Sequence, residues 1–122
     1  IGKIGTFELD TRSKASIFDG FYNVKTYRQG CLWGGKSEDV ISMIQAIDSW
    51  IDEDLDNGIV AVWHDESHMN KYFLLHPEKV CTLHAGFAQP QYGYDNVRNS
   101  YSTKFVHLHK EMNEFPRFSG VK

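Results

Sequence analysis

Ile59-Val60-Ala61-Val62-Trp63-His64-Asp65-Glu66-Ser67-His68-Met69-Asn70-Lys71-Tyr72 changes its period in the middle. Ile59 to Val62 form a continuous β-branched apolar run without alternation, which predicts a short buried strand. From Glu66 the apolar positions fall at Met69, Tyr72 and Phe73, a helical spacing that ends before Pro77. Trp63 to Glu66 therefore sit where a strand ends and a helix begins. In open α/β sheets that edge is where ligands bind.

Working outward, Ser37 followed by Glu38 and Asp39 reads as a helix start, a capping residue with two carboxylates in the first turn. Val40, Ile41, Met43, Ile44, Ile47, Trp50, Ile51 and Leu55 share one face of that helix, and Asn57-Gly58 ends it in the left-handed way. Its role is structural. Upstream, Gln29-Gly30-Cys31-Leu32-Trp33-Gly34-Gly35 reads as a strand running into a glycine turn; such a turn serves either as a ligand cradle or as a tight connection. Thr6 to Ser16 is polar and reads as a loop or edge segment, and Ile17 to Tyr27 as an extended stretch with a turn. Lys79 to Leu83 predicts a second strand, Gln89 to Tyr94 a loop, and Tyr101 to His109 includes a terminal strand. The opening Ile1-Gly2-Lys3 carries no initiator Met, which points to a fragment or to the visible half of a longer chain.

The chain has 122 residues, one domain's worth at most. An apolar content of 41% with scattered charge argues against disorder. Lys plus Arg is 13 and Asp plus Glu is 16, giving a net charge of −3, and no basic stripe appears, so nucleic acid is not an expected partner. No apolar run approaches the ~18 residues of a membrane helix, and no signal peptide opens the chain. Cys31 and Cys81 are too few and too unpatterned for a disulfide scaffold, so a reducing compartment is the default expectation.

Adjacent residues on a strand point to opposite faces, but at a strand-to-helix turn Asp65 and Glu66 can reach the same cleft. A carboxylate in a helix's first turn is held anionic, which suits a nucleophile or cation stabiliser rather than a general acid. The bland alternative is a helix cap with a decorated first turn. His64 and His68 lie four apart with Glu66 between them. Zinc peptidases use that spacing on one helix, with Glu directly after the first His, whereas here Asp follows His64. Asp54-Leu55-Asp56 matches the metal-binding Asp-x-Asp of nucleotide-sugar enzymes. Its place at the end of the amphipathic helix makes it a capping and solubility feature.

Trp63-His64-Asp65-Glu66-Ser67-His68-Met69-Asn70-Lys71-Tyr72 resembles the signature of family 6 glycosyltransferases, the family of the blood-group A and B transferases, the α-1,3-galactosyltransferases and shorter bacterial and phage relatives. Thr6-Phe7-Glu8 with Ser13-Lys14-Ala15-Ser16-Ile17 is similar to that family's Thr-Tyr-Glu…Ser-Gln-Ala-Tyr-Ile segment. Gln29 to Gly35 resembles its strand ending in Gly-Gly, Asn57-Gly58-Ile59 the approach to its acidic signature, Lys79-Val80 the strand after it, and Val97-Arg98-Asn99 its C-terminal Val-Arg-Asn. The matches run in order from Thr6 to Asn99.

The resemblance implies an α/β fold, the C-terminal half of a GT-A-type nucleotide-sugar transferase with a mixed sheet and flanking helices. Residues 1–99 would form the acceptor and catalytic half, and 100–122 a C-terminal extension. It implies a retaining hexosyltransferase moving galactose or N-acetylgalactosamine from UDP-Gal or UDP-GalNAc to a galactoside or oligosaccharide acceptor in α-1,3 linkage. By position Glu66 resembles the catalytic carboxylate at the anomeric carbon. His64 and Asp65 resemble the binders of donor-sugar hydroxyls, and Gln29 and Cys31 fall where the family chooses between the two sugars. Trp63 resembles the acceptor-facing aromatic, and Arg98 the diphosphate clamp. The family's nucleotide-binding half, with its Asp-x-Asp or Asn-x-Asn, lies upstream of this segment. A manganese motif would therefore lie outside it, no metal ligand is assigned here, and metal-independent relatives exist. Thr82 to Gln89 replaces the family's acceptor-binding segment, with Ala88 near its acidic position. Location is cytoplasmic if the source is bacterial or phage. A non-catalytic carbohydrate-binding protein on a degenerate transferase fold is the alternative, and a His64/His68 metal hydrolase a third reading, which requires stoichiometric zinc.

Overall fold

In the computed structural model residues 6–17, 26–93 and 100–109 are described. The chain divides into two compact units, Ile1–Thr82 and Leu83–Lys122.

The first unit is built on two helices. Helix α1 spans Ser37–Asp56 and carries Glu38 and Asp39 in its first turn, where exposed amides favour negative charge. Ser37 is the first helical residue rather than the cap; Lys36 holds that position with no side-chain hydrogen bond. At the other end the Asn57 amide returns to the carbonyls of Glu53 and Asp54 and that of Gly58 to Leu55, with Gly58 at φ +69°. A left-handed residue closes the helix as Asn-Gly predicts. Helix α2 spans His64–Leu75 and stops before Pro77. The two helices pack through Met43 and Ile47 of α1 against Met69 and Tyr72 of α2, with Ala46, Trp50, Ile51 and Phe73 around them. Burying these side chains removes apolar surface from water at about 25 cal/mol per Å². The apolar face expected of α1 is wider than the face α2 covers: Ile41, Ile44 and Leu55 stay exposed.

Three expected strands are absent from the described residues. Ile59 to Val62 pairs with no strand, and its burial alternates, Ile59 and Ala61 in, Val60 and Val62 out. Its amides find partners elsewhere: Ile59 donates to the Asp54 carbonyl (2.8 Å) and Val62 to Glu8 Oε2 (2.6 Å). With those donors satisfied, no ladder is needed. Gln29 to Gly35 is a turn and irregular chain in which the Gly30 amide is taken by the Glu66 side chain of α2. After α2, Pro77 opens a 3-10 turn, Pro77–Lys79, and residues 80–84 are irregular, replacing the strand expected at Lys79 to Leu83. Proline fixes φ and supplies no amide, so it initiates the turn.

The segment from Thr6 to Ser16 has no regular structure, as expected of a loop, yet it is packed. Glu8, Ser13, Ala15 and Ser16 are buried. Asp54, 2% exposed, accepts the Ser13 hydroxyl (2.5 Å) and the Lys14 amide (2.7 Å), and Lys71 donates to the Ser16 carbonyl. Asp54 is thus a buried anchor rather than the capping and solubility feature its sequence context predicts.

In the second unit, strands β1 (Gln89–Pro90) and β2 (Val106–His107) pair in parallel, Gln89 opposite Val106 and Pro90 opposite His107. A 3-10 turn, Ala85–Ala88, leads into β1. The terminal strand expected within Tyr101 to His109 is β2, while the loop expected from Gln89 begins instead as β1. Two helices and this short parallel sheet make an α/β set of elements. The readings over Phe18 to Lys25, Tyr94 to Asn99 and residues 110–122, Arg98 among them, fall outside the described residues. Among the described residues no helix is long and apolar enough to cross a membrane.

Candidate functional site

Glu66 sits in the first turn of α2, and both oxygens of its carboxylate are held from one short segment far away in sequence. The Tyr27 hydroxyl donates to Oε1 (2.5 Å) and the Gly30 amide to Oε2 (2.6 Å). Each bond to an ionised carboxylate is worth about 1.5–3 kcal/mol when it is shielded from water. Burial first, and then the neighbouring Glu66, push the Tyr27 phenol well above its ordinary range, so Tyr27 is a fixed proton donor. Its ring stands edge-on to Phe7 with centroids 5.1 Å apart. Gly30 is closely approached: a Cβ there would lie 3.2 Å from Glu66 Oε2 and 3.4 Å from Glu66 Cβ and Cγ, so the Glu66 side chain would have to give way.

The same segment brings Gln29 and Cys31 beside the carboxylate. The Cys31 thiol donates to Gln29 Oε1 (3.4 Å), and burial, reinforced by the Glu66 charge, raises its pKa. Arg28 points to other partners: its Nε donates to Thr82 Oγ1 (2.8 Å), and its guanidinium carbon lies 5.8 Å from the Phe73 ring centroid.

Trp63, His64 and Asp65 lead into α2. Trp63 is 48% exposed, but its indole N–H donates to Thr6 Oγ1 (3.1 Å) and its amide to Ser67 Oγ (2.9 Å). The ring is thus an aromatic surface held open to solvent. His64 begins the helix at φ +48°, the left-handed region that His adopts more readily than most non-glycine residues. His64 and Asp65 are exposed.

His68 does not share a site with His64. It is 2% exposed, with Nε2 3.5 Å from Asp54 Oδ2 and Nδ1 without a hydrogen-bond partner among the described residues. Burial lowers its pKa against the opposing pull of Asp54, Asp65 and Glu8. Among the described residues no group of three His, Cys, Asp or Glu side chains is placed to hold a metal. Asp54 of the Asp-x-Asp run is committed to Ser13 and Lys14.

Sequence reasoning missed Tyr27 and Asn70. The spacing of Glu66 and Asn70, four apart on one helix, puts them on one face and is the signal that could have found Asn70. Nothing in the sequence pairs Tyr27 with Glu66.

Against known proteins, the model of Glycosyltransferase family 6 matches residues 3–115. The chain is 35% identical over 93 residues to the rat (Rattus norvegicus) Histo-blood group ABO system transferase 2, covering 75% of this chain and 28% of that protein. It is 32% identical over 118 residues to the mouse (Mus musculus) Globoside alpha-1,3-N-acetylgalactosaminyltransferase 1, covering 95% of this chain and 29% of that protein. It is 33% identical over 67 residues to the O-antigen biosynthesis glycosyltransferase WbnI of Escherichia coli, covering 55% and 29%. The chain spans under a third of the length of these relatives. The family match extends over nearly all of the sequence and takes in the α2 carboxylates and the segment that holds Glu66: this chain belongs to glycosyltransferase family 6.

Proposed function

We propose that the protein transfers galactose or N-acetylgalactosamine from a UDP-sugar to a galactoside acceptor, in α-1,3 linkage and with retention at the anomeric carbon. The observation that carries this reading is the Glu66 carboxylate, held at both oxygens by Tyr27 and Gly30 beside Gln29 and Cys31. The relatives' names supply the sugar and linkage class.

In this reading Glu66 faces the anomeric carbon and meets the positive charge that develops as the bond to UDP breaks. UDP departs as a stable anion, so the paired acid of a glycosidase is not required. A carboxylate held in place stabilises that charge without reorganising, which is where most catalytic electrostatic gain arises. Asp65 and His64, exposed at the start of α2, accept and donate to donor-sugar hydroxyls. Trp63 offers its face to the apolar side of the acceptor ring, and Arg98 neutralises the diphosphate. In a bacterial or phage setting the reaction is cytoplasmic.

The test is UDP release by the full protein with UDP-galactose and UDP-N-acetylgalactosamine, each with lactose or a fucosylated galactoside, with and without manganese. Glu66→Gln keeps the shape and removes the charge, and is expected to lower kcat by about 100-fold or more. NMR of the product reads linkage and anomeric configuration. Sugar binding without turnover in the wild type would replace this reading with a carbohydrate-binding protein.

A further inference from the structure

Asn70 lies one turn beyond Glu66 on α2 and is 1% exposed. Its carboxamide makes three hydrogen bonds, all to main chain. Oδ1 accepts the Arg28 amide (2.9 Å), while Nδ2 donates to the Arg28 carbonyl (2.8 Å) and to the Glu66 carbonyl (3.0 Å). Taking both the N–H and the C=O of one residue is how a neighbouring strand grips its partner. Here a side chain does it.

Two residues further on, the Gly30 amide is taken by Glu66 Oε2. The segment therefore runs antiparallel to α2, with Arg28 against Asn70 and Gly30 against Glu66. Four helical residues rise about 6 Å. Two residues of chain reach at most about 7 Å. The segment is thus pinned to α2 at two points only two residues apart. Gln29 lies between them and Cys31 directly after.

We propose that Asn70 is a positioning residue for donor choice, setting the register of Gln29 and Cys31 against Glu66 so that sugar selection and the reacting carboxylate form one mechanical unit. The assignment rests on the transferase reading for what Gln29, Cys31 and Glu66 meet. Asn70 touches no sugar and acts through the Arg28 backbone. A merely structural Asn70 would change stability and leave the preference between donors alone.

The experiment compares wild type, Asn70→Ala and Gly30→Ala in the full protein. It reads the ratio of kcat/KM for UDP-galactose and UDP-N-acetylgalactosamine, amide exchange over residues 26–31, and alkylation of Cys31 with Cys81 as internal control. Both cysteines are exposed and unpaired. Asn70→Ala is expected to move the donor ratio by about fivefold or more. It should also speed exchange at Arg28 and Gly30 by about tenfold, with Cys31 alkylating faster and Cys81 unchanged. Gly30→Ala leaves the Asn70 bonds in place but displaces Glu66 from the segment, so it should shift the donor ratio while Arg28 stays protected. If Asn70→Ala does not fold, Asn70→Asp, which keeps the Oδ1 acceptor for the Arg28 amide and loses the Nδ2 donor to the Arg28 carbonyl, decides by the same readouts. A donor ratio unchanged within about twofold in the folded variants, with transfer intact, overturns the positioning role and leaves the transferase reading standing. Absence of transfer by wild type with either donor overturns both.

Discussion

At the scale of single residues, the unusual groups are buried or half-buried polar side chains whose partners come from distant sequence. The Glu66 carboxylate, the Asn70 amide and the Asp54 carboxylate each satisfy main-chain amides that a sheet would otherwise satisfy. His68 is the exception, with Nδ1 enclosed and lacking a partner among the described residues. Its depressed pKa is a statement about stability. Folded His68 resists protonation, so below 6.5, the ordinary value, the unfolded chain binds more protons and unfolding becomes easier. The sign is fixed by burial outweighing Asp54, Asp65 and Glu8. Stability of the first unit is expected to be full above pH 6.5 and to fall as pH drops from there through the folded value, with a slope of at most about 1.4 kcal/mol per pH unit for one proton. Urea midpoints from pH 7.5 to 5 read this slope, and His68→Gln should flatten it. A slope unchanged in the variant would assign the pH dependence to another group.

At the scale of elements, α1 shows how far position outranks charge. Glu53 and Asp54 are neighbours in its last turns, and both face the Ser13–Lys14 loop. Glu53 pairs with Lys14 Nζ at 2.9 Å with both side chains about half exposed. Asp54 holds the Ser13 hydroxyl and the Lys14 amide in a site 2% exposed. An exposed pair contributes about 0–1 kcal/mol, whereas breaking a buried, hydrogen-bonded carboxylate costs roughly 2–4 kcal/mol. Asp54→Ala is therefore expected to lower the denaturation midpoint severely, and Glu53→Ala to leave it nearly unchanged; equal effects would mean that the loop is not anchored by Asp54. The sequence could not separate the two, because burial of an acidic residue depends on a loop some forty positions away. What was legible in α1 was local: its span, its apolar Met43 and Ile47, and its glycine stop at Gly58. The start of α2 was legible for the same reason. The strands at Ile59, Gln29 and Lys79 were misread because apolar runs state burial and not who supplies the hydrogen bonds.

At the scale of the molecule, each unit carries its own tight point. In the second unit it is Gly86, where a Cβ would meet the Ser102 carbonyl at 2.2 Å and the His84 ring at 2.8 Å. The Gly86 amide donates to His84 Nδ1, His84 stacks on Tyr101 at 5.3 Å, and the Gly86 carbonyl accepts the amides of Lys104 and Phe105. Gly86→Ala is expected to loosen this unit by about 2–3 kcal/mol, as overpacking against backbone does. Hydrogen exchange should rise over residues 84–90 and 100–109 while α1 and α2 keep their protection. Loss of protection in the helices would show that the two units do not unfold separately. The candidate face at Trp63 to Glu66 is legible in the sequence because those residues are contiguous. Tyr27 and Asn70 are not, because what joins them to Glu66 is a meeting of two segments, which no local pattern records. That meeting also ranks where the chain tolerates a change of length. Exposed turns such as Tyr92-Gly93 can absorb an added residue, but one inserted or lost between Arg28 and Gly30 would detach either Asn70 or Glu66 from its backbone partner. Among the described residues, the two peptide bonds from Arg28 to Gly30 form an interval that natural insertions and deletions should avoid.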